Sequence, residues 1–376
     1  MGDETAKVYI QSPKWFIRPR NTDWRYARHM IPRISEFVQS CWFYPANSSS
    51  ATIQANLHYA RLSLCHRLKI SSGNDGGSYL DRNDLIQSGC EAVFCHEAFP
   101  KNADSVPVIW QNSILDPRMA LAYGASEQSL AREREAKARG FEKAVAVQVS
   151  TEAERARLGQ SFPHIADKFV AIPFFLPDVV GISRDSLDEK IERGGPLRCL
   201  FVGHEAKRKG LARVYSAIER LPPGLRRQTQ LTVISRQSDG RISAPSLPNL
   251  KVIEEAPHEQ VLQFMRDSDV LLMPSLFESY GLAFIEAMAQ GTIPVVPDWE
   301  VQREIVDYGK AGIVTSGDPA HLSSILESLS TDGDLRRSLA ICARQRFEQN
   351  FAPSIVAQQY ALMFSQSAKM TPMGAL

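Results

Sequence analysis

No run of about 18 apolar residues occurs anywhere in the 376-residue chain, so no membrane-spanning helix is expected. The opening stretch MGDETAKVYIQ lacks both a basic and an apolar segment, so no secretory leader is expected there. Ala6 stands where acylation of Gly2 would want a hydroxyl. Cysteine is sparse. Cys41, Cys65, Cys90, Cys95, Cys199 and Cys342 form no CxxC pair and no regular spacing, which points to buried thiols in a reducing compartment. Excess charge of one sign is missing as well: 43 Lys+Arg face 42 Asp+Glu for a net charge of +1, so no global field favours nucleic acid or an acidic polymer. Any site for an anionic partner must be local. The expected location is cytoplasmic, with contact to a membrane at most at its inner surface.

What is present is enough chain for two domains, each with its own core. AKVYI from Ala6 reads as a first strand. Pro13 to Arg33 then sets Lys14, Arg18, Arg20, Arg25, Arg28 and Arg33 against the single acid Asp23, with Trp15, Phe16, Trp24 and Tyr26 interleaved. That mixture suits either a solvated loop docked by its aromatics or a surface for an anionic acceptor or lipid headgroup. Ala51 to Lys69 has helical spacing, and SSGNDGGS, 71–78, is a loop by composition. EAVFC, 91–95, reads as a buried strand delivering His96 and Glu97 at its carboxyl end, where open parallel sheets bind ligands. A structural hydrogen-bonding role for His96 is equally open. PVIW, 107–110, is another short strand, ending at Gln111 and Asn112, which are candidates for acceptor or sugar contacts. Ser126 to Gly140 reads as an exposed helix and Lys143 to Val149 as a strand, with Ser150-Thr151-Glu152 opening a helix. Phe169 to Pro177 is a strand broken by prolines. The polar stretch after it places an interdomain connection near Pro173 to Gly195.

The second half opens with the strand RCLFV, 198–202, running into Gly203, His204, Glu205, Ala206, Lys207, Arg208, Lys209 and Gly210 before a helix over Leu211 to Arg220. A glycine turn with a basic cluster ahead of a helix suits phosphate. The stretch that organises this half is DVLLMPSLFESYGLAFIEAMAQGTIPVVP, 269–297: a strand, a polar elbow, an amphipathic helix and a second strand. Its carboxylates Glu278 and Glu286, eight positions apart, would differ by about 80° in azimuth on one helix. They do not stack, so Glu278 is assigned to the elbow and Glu286 to the helix, both bordering a pocket at the helix N-terminus. Neither looks buried enough to serve as an acid. Around Ser279, Tyr280, Gly281 and Leu282 successive backbone N–H groups form an anion seat, with the glycine free to take positive φ. Strand and helix alternate through both halves, which predicts two doubly wound α/β domains facing across a cleft.

This half resembles the nucleotide-sugar domain of family 4 glycosyltransferases, from FVG…KRKG through the E-x7-E stretch to DLRRSLAICARQRFEQNFAPSIVAQQY. The resemblance runs over about residues 143 to 365 and implies the GT-B fold, with two Rossmann-like domains. It implies domains at 1–178 for the acceptor and 179–352 for the nucleotide sugar, with 353–376 a C-terminal helix crossing back. By resemblance, Glu286 binds the ribose hydroxyls, Glu278 the donor sugar, Lys209 the phosphates, and the N–H groups of 280–282 the distal phosphate. Gly203, His204 and Arg208 fall in the donor loop. The family usually places an arginine after Val202-Gly203, where His204 stands here, with Arg208 as a substitute charge. Its first strand usually runs into a glycine-rich loop, yet SPKWFIRPRN holds no glycine. Many members carry a histidine after the strand that PVIW resembles, where this chain has Gln111 and Asn112. The implied activity is retaining, metal-free transfer of a sugar from UDP or GDP to a glycan, lipid-linked or small-molecule acceptor. Two alternatives stand beside it: paired-carboxylate hydrolysis and a non-catalytic GT-B-shaped nucleotide-sugar-binding or scaffold protein.

Overall fold

The computed structural model describes residues 6–11, 41–45, 91–96, 107–111, 117–122, 124–245, 247 and 249–370. The basic-aromatic segment 13–33, the helix read at 51–69, the loop 71–78 and Asn112 lie outside them. The chain divides into two compact units, Met1–Pro177 with Pro353–Leu376, and Asp178–Ala352.

In the first unit six parallel strands make one sheet: β1 (Ala6–Gln11), β2 (Cys41–Pro45), β3 (Ala92–His96), β4 (Val108–Gln111), β5 (Ala146–Val149) and β6 (Phe169–Ala171), in the order β2-β1-β3-β4-β5-β6. Its helices are α1 (Pro117–Ala122), α2 (Glu127–Lys143) and α3 (Glu152–Ser161). Ser126 caps α2 by accepting from Ser129 N at 3.1 Å, and Thr151 caps α3 through Glu154 N at 3.1 Å. Packing on the sheet fixes α2: a Cβ on Gly140 would run into the Trp110 ring, so only glycine lets the helix approach there. Phe141 beside it is fully buried and meets Phe162 and Phe169 edge-on at 5.5 and 5.3 Å. The strand read across Phe169 to Pro177 stops at Ala171. Pro173 lacks the N–H that a ladder needs, while Phe175 and Leu176 stay buried beyond it.

The second unit begins with α4 (Arg184–Glu192), where the sequence reading had only a polar connection. Ser183 caps it, and Leu187 and Lys190 are buried beneath it. The helix escaped notice because its inner face includes a lysine. The rest alternates: β7 (Leu197–Val202), α5 (Leu211–Arg220), α6 (Pro223–Arg227), β8 (Thr229–Ile234), β9 (Leu250–Ile253), α7 (His258–Asp267), β10 (Val270–Leu272), α8 (Leu282–Ala289), β11 (Ile293–Pro297), α9 (Glu300–Ile305), β12 (Ile313–Thr315), α10 (Pro319–Thr331) and α11 (Gly333–Asn350). The terminal helix α12 (Pro353–Ser367) belongs to the first unit. The second sheet is also parallel, ordered β12-β11-β10-β7-β8-β9. Its middle strands are buried on both faces, which explains their continuous apolar runs. On α5, Leu211, Val214, Tyr215 and Ile218 repeat at i, i+3, i+4 and i+7 and bury one stripe against that sheet. The sequence marked α8 as amphipathic. It is instead enclosed all round, with Phe284 through Ala289 buried, because α11 and α7 pack against its outer sides.

Lys190 holds three parts of this unit together, donating to Thr292 Oγ1 at 2.7 Å, Gln290 O at 2.9 Å and Met265 O at 3.3 Å. Burial pushes its ammonium down to about 7. The unfolded chain, with an ordinary lysine, then binds one more proton than the folded one between pH 7 and roughly 10.4. Stability should therefore rise as pH increases across that window, by at most about 1.4 kcal/mol per pH unit for one proton. Urea unfolding at pH 7, 8 and 9 checks this. The rise is expected in the wild type and absent in Lys190→Met; equal slopes in both would remove Lys190 as its source.

Candidate active site

The loops that follow β7 and β10 carry the charged residues. Those strands are paired in parallel, with Val270 beside Cys199 and Leu271 beside Leu200, so both loops leave the same edge of the sheet. The first passes Gly203 at φ +150°, where a Cβ would collide with the Lys209 stem. Glycine is what lets that lysine lie along the backbone. The loops are then tied by Leu276 N donating to Arg208 O at 2.8 Å, while Arg208 N donates to Asp239 Oδ2 at 2.9 Å.

Glu278 sits in the elbow, as its sequence position predicts, and Lys209 Nζ donates to its Oε2 at 2.7 Å. Arg208 Nη1 lies 3.5 Å from the same oxygen and donates to Phe277 O at 3.1 Å, with its guanidinium 5.3 Å from the Phe277 ring centre. Arg208 Nη2 also pairs with Glu205 Oε2 at 2.7 Å. Glu286, inside α8, takes a different partner: its Oε1 is 2.7 Å from His258 Nε2. The expectation that neither glutamate is well buried is overturned. Glu278 is 7% exposed and Glu286 9%, each enclosed with the cationic or imidazole group that satisfies it.

The elbow is shaped for approach to α8. Gly281 has φ +95°, and a Cβ there would strike the Phe284 ring, so the turn requires glycine. No side chain caps the helix, which leaves its leading N–H groups, at the half-buried Leu282 and Ala283, uncapped by any side chain. Ser279 is exposed and Tyr280 buried. The whole elbow is pinned from behind by Gln302 on α9, fully buried, whose Nε2 donates to Glu278 O at 3.1 Å and Tyr280 O at 2.8 Å. His204 is exposed in the turn after β7. Partial burial, then the cations Arg236 and Lys209, hold its imidazole below the ordinary pKa.

The sequence candidates of the first unit fare differently. His96 ends β3. Gln111 is 2% exposed and donates to Tyr360 Oη on α12 at 2.7 Å, which makes it part of that unit's core rather than a group held out to a substrate. Two residues of the second unit were missed, His258 and Gln302. His258 had a signal, since it follows Pro257 at the start of a helix; Gln302 had none, because its helix was not recognised. Among the described residues no group of three His, Cys, Asp or Glu side chains is placed to hold a metal ion, and no helix is long and apolar enough to cross a membrane.

Residues 183–346 match the family model described as glycosyl transferases group 1. The chain is 26% identical over 201 residues to a phosphatidyl-myo-inositol mannosyltransferase of Mycobacterium leprae, covering 50% of this chain and 52% of that one. It is 30% identical over 182 residues to a glycogen synthase of Mycobacterium tuberculosis, covering 46% and 43%. The chain thus spans about half the length of the curated relatives it matches. In structure it is similar to Anabaena Alr3699/HepE in complex with UDP-glucose, at a TM-score of 0.61 and 14% identity, over 96% of this chain and 99% of that one.

The Gln302 amide supplies the elbow with two donors that no neighbour replaces in an apolar substitution. Gln302→Met should lower unfolding stability by roughly 2 kcal/mol, the cost of leaving buried polar partners unmade. Denaturant titration measures it, and an unchanged midpoint would rule out the clamp.

Proposed function

We propose, on the premise that residues 183–346 are a glycosyl transferases group 1 domain within a GT-B fold, that the protein transfers a sugar from a nucleoside diphosphate to an acceptor with retention at the anomeric carbon. The observation that carries this reading is the contact of Lys209 with Glu278 beside the uncapped start of α8. A diphosphate laid across that start meets backbone donors, the helix dipole and the lysine ammonium. Of the three Nζ protons, Glu278 takes one and Met273 Sδ, 3.5 Å away, accepts weakly, so one remains for a phosphate oxygen.

Glu286 is assigned to the ribose. An ionised carboxylate accepts from both hydroxyls of a vicinal diol, and His258 fixes its orientation through Oε1. Glu278 is assigned to the donor sugar, where its charge supports the oxocarbenium-like centre. In the reaction the bond from anomeric carbon to phosphate oxygen breaks and the acceptor oxygen bonds to that carbon on the same face. The leaving phosphate oxygen takes the acceptor proton. Charge on the diphosphate grows as that bond breaks, so Lys209, Arg208 and the N–H groups of Gly281 and Leu282 act most strongly in the transition state, and the step needs no metal ion. Gly203, His204 and Ser279 border the same phosphates. His96 and Asn112 remain candidates for acceptor contact.

UDP is the favoured nucleotide, because the structurally similar Anabaena protein is described with UDP-glucose. A lipid-linked anionic acceptor is favoured over a neutral one by the cation and aromatic density of residues 13–33, and the mannosyltransferase relative is named for such a lipid.

Steady-state transfer with a panel of UDP and GDP sugars tests the assignment. Lys209→Ala should lower kcat about 10²- to 10³-fold while changing the donor Kd less than about tenfold. Unchanged kcat would sink the role given to Lys209. Glu286→Gln should weaken UDP binding with little change in the affinity for free sugar. Release of free sugar at full rate without acceptor would favour hydrolysis over transfer.

A further inference from the structure

The second unit contains a cavity of about 40 Å³ at the other edge of its sheet, where β7, β10 and β11 begin. Lys209 and Glu278 follow the carboxyl ends of the same strands. Six residues of β7 separate the two edges, roughly 20 Å along the strand. Three arginines, Arg198, Arg336 and Arg337, line the cavity together with the buried Lys190, against one acid, Asp269. That acid is already matched, with Arg198 Nη1 and Arg193 Nη2 each 3.6 Å from its carboxylate oxygens. Arg336 and Arg337 therefore bring positive charge that no carboxylate lining the cavity offsets.

Several of their donors are also unspent. Arg336 uses Nη1 to cap the end of α10 at Leu329 O and Ser330 O, leaving Nη2 and Nε unused among the described residues. Arg337 is exposed, and its side chain makes no hydrogen bond or ion pair among the described residues. Besides its 3.6 Å ion pair with Asp269, Arg198 shares only Gly194 O between its two terminal nitrogens, at 3.3 Å each. The walls facing these groups are glycine. A Cβ on Gly195 would stand 3.4 Å from Arg198 Nη2, and one on Gly333 would stand 4.0 Å from Arg336 Nη2. Any side chain there would fill the space in front of the guanidinium groups. One water needs about 10–15 Å³ of such space, so the cavity holds on the order of three oxygen-sized groups. Three is the number of free oxygens on a phosphoryl group. Planar, multiply donating guanidinium groups are also suited to phosphate.

We infer that this cavity is an oxyanion site for a single phosphoryl group, held by Arg336, Arg337 and Arg198, separate from the donor site and independent of the reaction assigned to it. Inorganic phosphate and a sugar monophosphate can each present a face of three phosphoryl oxygens, so both are probes. Isothermal titration of the full chain with inorganic phosphate, and separately with glucose 6-phosphate, tests the site. One equivalent should bind in the wild type and in Lys209→Ala with Kd values within about twofold, since charge so far away is largely screened. Arg337→Ala, which breaks no hydrogen bond or ion pair among the described residues, should weaken binding at least about tenfold, the value of a charge-assisted hydrogen bond, with an unchanged melting temperature. Gly333→Glu should also weaken it by placing a carboxylate before Arg336. Tighter binding of glucose 6-phosphate would identify the ligand as an ester, and binding of inorganic phosphate alone would identify the free ion; either sustains the site. No saturable binding of either probe, or binding lost in Lys209→Ala and kept in Arg337→Ala, would overturn it.

Discussion

Parallel pairing of β7 with β10 is the constraint from which the candidate active site follows. In a parallel pair the two chains leave the sheet at the same edge, so residues about 70 positions apart arrive side by side. One brings a flexible cation and the other a carboxylate. Removed from water singly, either would be costly, and their contact at 2.7 Å compensates that desolvation. The pair joins the same two loops that the backbone bond from Leu276 to Arg208 joins.

Much of this was legible in the order of residue types. The run VLL, the glycine, the following EAMA and the strand IPVVP fixed a βαβ unit, because buried parallel strands and a glycine turn leave few other readings. The limits of α5 fell where its apolar spacing begins and where Leu221 and two prolines end it. What stayed hidden was whatever depended on the far side of a contact. Spacing places Glu286 on a helix but does not reveal that α7 and α11 enclose that helix, so its burial was misjudged. Lys190 likewise reads as a surface residue until three acceptors from distant segments surround its end.

Gln111 makes the same point in the other direction. A polar side chain at the carboxyl end of a parallel strand suggests a ligand contact, as the placement of binding sites in such sheets teaches. Its actual partner, Tyr360, lies 249 positions away on α12, and no local pattern foretells that bond. Gln302 combines both difficulties. It is fully buried, it works through backbone carbonyls rather than side chains, and its helix is only six residues long.

The first unit is discontinuous in sequence, whereas the second is one unbroken segment. Tyr360 and Phe364 of α12 stack edge-on against Phe94 at 5.8 and 5.2 Å inside that first core. During synthesis the amino-terminal strands thus wait for the last helix, while the whole of Asp178–Ala352 has already emerged. Order of synthesis and order of completion are reversed: the unit that begins before the other is sealed after it, and Phe94 on β3 lacks its α12 partners for the time a ribosome needs to translate the whole second unit.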